Sequence, residues 1–275
     1  MPELPEVETI ARDLNDAVAG AVITAVRVFR HDVLREAKAR ALDARTRGAT
    51  IERWWRRAKH AVADLSNGER IVISPRFTGA VLIEPDPWTR GRDDYTTLAF
   101  SLADGRAMRY RDVRRLGTVT LMNPHRFAEW EATIGPEPLD ATFSAAVFAE
   151  RIRPSRRAIK TVLMDQRRVA GIGNIYANEA LWRSKIRPHR AASSLTRREL
   201  TLLYRESVAV LRAAVEQRGT SFRDYQDPYG GRGGFLGLAK VYSREGQPCL
   251  RCRTTLKSTH ALENRITVWC PRCQK

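Results

Sequence analysis

The hydrophobic pattern of the chain changes its period near residue 125, and this change constrains the fold more than any other feature. Before it, short alternating segments rich in Val, Ile and aromatic residues recur, such as "VITAVRVF", "IERWWRRAKHAVADL", "RIVISPRF", "AVLIEP", "TTLAFSL" and "AMRYRDV". Turn signals separate them at Asn67-Gly68, Pro85-Asp86-Pro87 and Asp104-Gly105. This arrangement predicts an antiparallel β-sandwich or barrel.

Helices replace strands in the second half. An aperiodic, proline-containing stretch, "IGPEPLDATFS", predicts a linker. Helical periodicity then predicts helices at 144–152, 156–168, 174–184 and from Thr196 onward. Glu199 completes a capping box with Thr196, and Gly219 can serve as the C-terminal cap of that helix. The stretch "DPYGGRGGF" at 227–235 predicts a flexible loop.

The first residues predict a helix that begins at an unusual N-terminus. Residues 3–19 place an apolar stripe on one helix face, and Gly20 can end this helix; the stripe is Val7, Ile10, Leu14 and Val18. Because Pro2 follows Met1, methionine aminopeptidase is expected to expose the secondary amine of Pro2. An α-amino group has a pKa of about 7.7–8.0, so a neutral fraction can attack an aldehyde-level carbon near pH 7. The alternative is that Pro2 and Glu3 only start the helix well.

Charge and composition indicate the class of partner. The 275 residues carry 48 Lys and Arg against 31 Asp and Glu, a net charge of +17. Such a basic chain favours a nucleic acid as partner, the alternatives being a ribosome-associated or merely basic protein. No apolar run approaches the roughly 20 residues of a membrane span, and the acidic N-terminus does not resemble a signal peptide. We therefore expect a cytosolic protein.

All four cysteines lie in the last 27 residues. They form two C-x2-C pairs, Cys249 with Cys252 and Cys270 with Cys273, separated by 17 residues. This spacing is typical of a four-thiolate zinc site. Two disulfides, or unrelated thiols, are the alternatives. A zinc ion would hold a small hairpin that cannot bury a core alone.

Two other motifs suggest contacts with phosphates. In "VAGIGNIYANEAL", Gly171 and Gly173 permit a tight turn, and Asn174 is predicted to cap a helix whose free amides could bind a phosphate. Many helices follow glycine without binding anything. Arg114-Arg115 follows the strand "AMRYRDV" and could reach a phosphate or a gap in a duplex, although such a pair is usually a solvated edge.

These segments together resemble the formamidopyrimidine-DNA glycosylase family. "MPELPEVETI", "RRLG", "GIGNIYANEAL" and the two C-x2-C pairs lie in the family's order and span nearly the whole chain. The opening "PELPEVE" is more similar to the oxidised-purine branch than to the endonuclease VIII branch, which acts on oxidised pyrimidines. The resemblance implies an α+β multidomain fold. Its parts would be an N-terminal helix and β-sandwich catalytic domain at 1–132, a linker and first helix at 133–150, a helix-two-turn-helix domain at 151–240 and a zinc finger at 241–275.

The resemblance also implies a mechanism. Family enzymes flip an oxidised base such as 8-oxoguanine out of the duplex, cut its glycosidic bond and nick the strand by β,δ-elimination. By this resemblance, the nitrogen of Pro2 attacks C1′ and forms a Schiff base, and Glu3 is the general acid/base. Lys59 matches a hairpin lysine that assists proton transfer. Arg265 matches the zinc-hairpin arginine that grips the phosphate beside the lesion and serves δ-elimination.

The residues expected to contact DNA include both matches and departures. Arg114 matches the arginine of a three-residue wedge that fills the hole left by the flipped base. Phe77 and Leu116 stand where the family usually has methionine and phenylalanine, so wedging should survive while contacts with the orphaned base should differ. The purine-sensing loop keeps its length at 222–235 but has its own sequence. The expected phosphate contacts are Lys160, Asn174 and Tyr95, the last replacing a common histidine.

The sequence thus predicts a bifunctional DNA glycosylase/AP lyase for oxidised purines in base excision repair. We expect one structural zinc ion, double-stranded DNA with a damaged base or abasic site as the partner, no membrane contact and a monomer. The expected location is cytoplasmic, associated with a nucleoid of bacterial type. An endonuclease VIII-like enzyme for oxidised pyrimidines and a non-catalytic lesion-binding paralogue are the alternatives.

Overall fold

The structure is a computed structural model that describes residues 2–85, 95–220, 231 and 233–275. The turn predicted at Pro85-Asp86-Pro87 and most of the loop predicted at 222–235 fall outside these residues. Two compact units form, one from Met1–Ala132 with Arg218–Gly233 and the other from Thr133–Gln217 with Gly234–Lys275. No helix within the described ranges is long and apolar enough to cross a membrane.

The first unit begins with helix α1 (Leu4–Val18), as the sequence predicts. Glu3 is its N-cap, and the chain leaves the helix at Ala19, one residue before Gly20. The predicted apolar stripe is at most 1% exposed and belongs to the main core of the unit; it comprises Val7, Ile10, Leu14 and Val18. Burial of this stripe against the sheet stabilises the helix more than its intrinsic propensity does.

The strands of this unit form two sheets and confirm the predicted sandwich. The strands are β1 (Ile23–Val28), β2 (Leu34–Arg35), β3 (Ile51–Arg57), β4 (His60–Leu65), β5 (Arg70–Ser74), β6 (Gly79–Pro85), β7 (Thr96–Leu102), β8 (Arg106–Asp112) and β9 (Thr118–Met122). One sheet has the order β1-β7-β8-β6 and the other β2-β9-β5-β4-β3. The pairings are antiparallel except for the short parallel pair of β2 with β9.

The five-stranded sheet is covered on both faces. Its inner face packs in the core together with residues of the other sheet, for example Ile73 with Phe100. Its outer face carries Val62, Val72 and Met122, which pack against Phe127 of helix α3 (Pro124–Ala132). Helix α3, the short helix α2 (Ala39–Thr46) and strand β9 were not predicted from the sequence.

Within the described residues, the second unit has four α-helices and a two-stranded ladder. These are α4 (Ala145–Ile152), α5 (Ile159–Met164), α6 (Asn174–Arg183), α7 (Arg197–Glu216), β10 (Lys257–Thr259) and β11 (Thr267–Trp269). The capping box of Thr196 and Glu199 is present at the start of α7, as predicted. That helix ends earlier than predicted, since Gln217 and not Gly219 is its C-cap.

Helix α5 is shorter than the helix predicted at 156–168. Asp165 leaves the helical region, with ψ of 106°, and its carboxylate accepts the backbone N–H of Arg167 at 3.1 Å. Such a local side-chain bond offers the backbone an alternative to the helix, which ends the helix at Met164.

Candidate active site and nucleic-acid interface

Pro2 and Glu3 are both buried at the start of α1. Glu3 is 2% exposed and is the N-cap. Its backbone N–H donates to Oε2 of Glu6 at 2.7 Å, and the two residues form a reciprocal capping box. The positive end of the helix dipole favours an anionic carboxylate at this place. The residue predicted to be the nucleophile is therefore followed in sequence by a buried glutamate that caps α1.

Glu6 has a second function that sequence reasoning did not find. Its Oε1 accepts the backbone N–H of Thr220 at 2.6 Å, across 214 residues of sequence. Gly219, with φ of +80°, approaches so closely that a Cβ there would lie 2.7 Å from Cγ of Glu6. Only glycine allows both the left-handed backbone conformation and this close approach to Glu6. The first turn of α1 thus anchors the chain where it enters the glycine-rich segment.

Lys59 lies in the tight turn between β3 and β4, where Arg57 pairs with His60. Ala58, with φ of 54°, supplies the left-handed residue of this turn. Lys59 itself is half-buried. Burial lowers the pKa of the neighbouring His60 to about 4, helped by the positive charges of Arg76, Lys59 and Arg57. His60 is therefore neutral at pH 7.

The three predicted wedge residues come from two loops of the sandwich. Phe77 follows β5, while Arg114 and Leu116 lie between β8 and β9. The guanidinium carbon of Arg114 lies 5.0 Å from the ring centre of Phe77, a cation–π contact. Phe77 is 38% exposed and Leu116 is 45% exposed. Two large apolar side chains presented to solvent beside an arginine are typical of a binding surface.

A buried carboxylate, that of Asp112, shapes these loops. Its Oδ1 accepts the hydroxyl of Thr78, next to Phe77, and the backbone N–H of Arg114 at 3.2 Å. Its Oδ2 accepts the backbone N–H of Gly117 at 2.8 Å. A Cβ on Gly117 would lie 1.9 Å from the hydroxyl of Tyr110, so glycine is required there. Burial, with the nearby Asp112 charge, raises the pKa of Tyr110 well above its usual range.

Tyr95 is 46% exposed beside the same loops. The guanidinium carbon of Arg111 lies 5.0 Å from its ring centre. Tyr95, Arg30, Val113 and Arg115 also line a surface pocket together with Asp112. An exposed aromatic ring among arginines fits contact with a nucleic-acid backbone.

Asn174 is the first residue of α6 and not its cap, contrary to the prediction. Gly173 is the N-cap, in an extended conformation. Gly171 has φ of +81°, and its N–H donates to Oε1 of Gln166 at 2.8 Å. The amide group of Gln166 also donates to the carbonyl of Ile172 at 2.8 Å. These two hydrogen bonds stabilise the glycine turn, and the positive end of the α6 dipole at Asn174 favours an anion there.

Lys160 does not have the exposed position expected of a phosphate contact. Its side chain is fully buried. The ammonium group donates to Oγ1 of Thr267 at 2.7 Å and to the carbonyl of Ile266 at 2.9 Å. A phosphate cannot reach it there, so the expected direct contact is corrected. Arg265, one residue before Ile266, is half-buried.

The four cysteines converge at the end of the chain. Their sulfur atoms all lie within 4.8 Å of one another. A tetrahedral zinc site with Zn–S bonds of about 2.3 Å has sulfur atoms about 3.8 Å apart. All four are free thiols, with Sγ of Cys252 at 3.4 Å from Sγ of Cys270, so the disulfide alternative does not apply. The cluster packs on Trp182, Val241, Leu256 and Val268 and could hold a metal ion.

In a chain of net charge +17, these features favour the class of enzymes that act on a nucleic acid. Two family models match: formamidopyrimidine-DNA glycosylase N-terminal domain at residues 1–119 and formamidopyrimidine-DNA glycosylase H2TH domain at 134–226. The chain belongs to the formamidopyrimidine-DNA glycosylase family, as its motifs predict.

Full-length relatives support this assignment. The chain is 39% identical to the formamidopyrimidine-DNA glycosylase of Geobacillus kaustophilus, with 100% of both chains covered. It is 38% identical to that of Desulforamulus reducens, covering 100% of this chain and 99% of the relative. The Lactococcus lactis Fpg in complex with abasic-site DNA superposes with a TM-score of 0.91 at 29% identity, covering 99% of each chain. The Thermus thermophilus MutM (Fpg) structure gives 0.87 at 36% identity, covering 99% of this chain and 98% of that one.

Proposed function

We propose that this chain is a bifunctional DNA glycosylase/AP lyase that excises oxidised purines, including 8-oxoguanine and formamidopyrimidines, in base excision repair. The observation that carries the proposal is the buried Pro2-Glu3 start of α1, with Glu6 holding the backbone of Glu3. Solved Lactococcus lactis Fpg complexes with abasic-site DNA and with Fapy-dG containing DNA support the substrate class.

In the proposed reaction, the neutral secondary amine of Pro2 attacks C1′ of the damaged nucleotide. The C1′–base bond breaks, its electron pair leaves with the base, and the base takes up a proton. The sugar ring opens to an iminium, and loss of a C2′ proton expels the 3′ phosphate. A second elimination expels the 5′ phosphate. Glu3 and Lys59 would move these protons, and Arg265 would grip the phosphate beside the lesion.

The remaining residues would bind and open the duplex. Phe77, Arg114 and Leu116 form the wedge, with Tyr95 and the start of α6 at Asn174 on the DNA backbone. The chemistry then belongs to the N-terminal part at 1–132, and the helical part at 151–240 and the hairpin at 241–275 bind DNA. We further propose a monomer that acts in the cytoplasm at a bacterial nucleoid.

The cysteine cluster is proposed to hold one structural zinc ion. Four thiolates are the donor set that zinc prefers in structural sites, and they leave no open position for catalysis. The strands β10 and β11 have three residues each, too few to form a stable hairpin unaided. The ion would cross-link the hairpin that carries Arg265.

Oxidised pyrimidines are a second candidate substrate. Phe77 and Leu116 change the wedge of the family, and one solved Lactococcus lactis Fpg complex contains an oxidised pyrimidine in its DNA. The deciding assay compares single-turnover base release from matched duplexes with 8-oxoguanine or thymine glycol, each placed opposite all four bases. We expect faster release of 8-oxoguanine. Faster release of thymine glycol would overturn the purine assignment, and tight binding of abasic DNA without cleavage would overturn the enzymatic one.

A further inference from the structure

Two buried side chains of the second unit converge on the segment that carries Arg265. We propose that Lys160 and Asn178 are positioning residues that hold Arg265 at a fixed place relative to the start of α6. The proposal rests on the proposed function of Arg265 at the DNA backbone. It gives Lys160 a role in the site although its ammonium group is out of reach of DNA.

Lys160 acts through a chain of two hydrogen bonds. Its ammonium donates to Oγ1 of Thr267 at 2.7 Å, and that hydroxyl in turn donates to the carbonyl of Arg265 at 3.3 Å. The same ammonium donates to the carbonyl of Ile266 at 2.9 Å. A hydroxyl has one proton to donate and lone pairs to accept with, so both bonds of Thr267 can form together. Lys160 therefore restrains the backbone on the C-terminal side of Arg265.

Asn178 connects the same segment with the first turn of α6. Its side chain is fully buried. Oδ1 accepts the backbone N–H of Val268 at 3.0 Å. Nδ2 donates to the carbonyl of Asn174 at 2.7 Å and lies 3.4 Å from the carbonyl of Ile266. One amide group thus links the helix start, a candidate phosphate site, with the segment that follows Arg265.

The local backbone holds Arg265 only from its N-terminal side. Its N–H donates to the carbonyl of Leu262 at 3.1 Å and closes a turn whose two central residues, Glu263 and Asn264, have φ of 57° and 51°, a left-handed conformation that is costly for residues other than glycine. The ladder of β10 and β11 begins only at Thr267, which pairs with Thr259. Arg265 therefore lies outside the ladder, and the restraints from α5 and α6 fix the residues after it.

Loss of these restraints is expected to affect δ-elimination more than the other steps of the reaction. A small displacement of a phosphate-gripping arginine weakens the step that depends on it, because the reacting groups must be held closely. Loss of either restraint should lower δ-elimination, while attack by Pro2 continues. A general loss of folding would instead lower base release, β-elimination and δ-elimination together.

The test measures β-elimination and β,δ-elimination products from a duplex with one abasic site, separated on a denaturing gel under single-turnover conditions. Lys160→Met and Asn178→Ala remove the buried donors. Thr267→Val removes one hydroxyl at constant shape, and Thr267→Ser restores it. Glu263→Gln is the matched control, because it breaks an exposed ion pair with Arg157 (3.1 Å) in the same loop, and such pairs contribute little.

We expect Thr267→Val to lower the ratio of δ- to β-products about fivefold, the effect of one lost hydrogen bond. Lys160→Met and Asn178→Ala each remove at least two hydrogen bonds and should lower it at least as much. Thr267→Ser and Glu263→Gln should match the wild type. Melting temperatures and borohydride trapping at Pro2 identify any variant that is merely misfolded. If Lys160→Met does not fold, the comparison of Thr267→Val with Thr267→Ser tests the proposal. The proposal is overturned if Thr267→Val matches Thr267→Ser while Arg265→Gln still lowers the ratio. If Arg265→Gln leaves the ratio unchanged, the proposed function of Arg265 itself is wrong.

Discussion

Replacement of Asp112 tests how the wedge loops are held. Asp112 is fully buried, and its two oxygens accept hydrogen bonds from Thr78, Arg114 and Gly117. In Asp112→Asn, an NH₂ group replaces one oxygen at nearly constant volume. If this NH₂ takes the place of Oδ2, the backbone N–H of Gly117 loses its acceptor. If it takes the place of Oδ1, the hydroxyl of Thr78 loses its acceptor, while the N–H of Arg114 keeps Oγ1 of Thr78 at 3.0 Å.

The magnitude follows from these bonds. One buried donor left without a partner costs about 1–3 kcal/mol. Urea unfolding of the two proteins at pH 7.5 should therefore show a lower free energy of unfolding in Asp112→Asn, with an unchanged dependence on urea. An effect below about 0.5 kcal/mol, the level of an ordinary surface substitution, would refute the reasoning.

Asp112→Asn also distinguishes an effect on base flipping from an effect on the chemical steps. A displaced wedge should slow excision of 8-oxoguanine, which requires base flipping, more than cleavage of an abasic site, which has no base to remove. Single-turnover rates on the two duplexes give the comparison. Equal loss on both substrates would contradict a role of Asp112 in holding the wedge.

Four further predictions follow from single features. Because the pKa of His60 is about 4 in the folded protein and about 6.5 in an unfolded chain, the unfolded state binds more protons between these values. The free energy of unfolding should fall by at most about 3 kcal/mol as pH drops from 6.5 to 4. In His60→Gln, the free energy of unfolding, measured with urea at a series of pH values, should depend less on pH over this range. Gly117→Ala should destabilise strongly through its clash with Tyr110, unlike Gly237→Ala, which meets nothing within 4 Å; melting temperatures check this. Cys249→Ala should lose bound zinc, measured by elemental analysis, and weaken DNA binding. Affinity for duplex DNA should fall by orders of magnitude between about 50 and 200 mM salt, and an unchanged affinity in a titration would contradict phosphate contacts.

Periodicity predicted the elements with strong local signals. The stripe of α1, the capping box of Thr196 and Glu199 and most strands of the sandwich are as expected. Helix α2 was missed because it is short and shows no side-chain N-cap. Helix α3 does carry a start signal, since Oδ1 of Asn123 accepts the backbone N–H of Arg126 at 2.9 Å and Pro124 is its first residue, but this signal was not recognised in so short a helix. Strand β9 is likewise only five residues long. Their stability comes from tertiary packing, as the contact of Phe127 with the outer face of the sheet illustrates.

The residue roles that the sequence did not predict depend on contacts with partners far away in the sequence. Nothing around Lys160 indicates burial, because its acceptors lie 106 and 107 residues away. The bond between Glu6 and Thr220 spans 214 residues. Thr78, in the loop before β6, and Asp112, the last residue of β8, also meet although they are 34 residues apart. In each case the residue types were visible in the sequence, but the partner that defines their role comes from the fold.

Borohydride trapping tests the central claim, that the N-terminus is the nucleophile. The substrate is a duplex with one 8-oxoguanine opposite cytosine, and the variants are Pro2→Gly, Glu3→Gln and the control Glu52→Gln, which changes an exposed carboxylate. We predict a covalent adduct with the wild type and the control, and loss of the adduct in Pro2→Gly. An undiminished adduct in Pro2→Gly, or none from the wild type on this duplex or on an abasic one, would contradict the account.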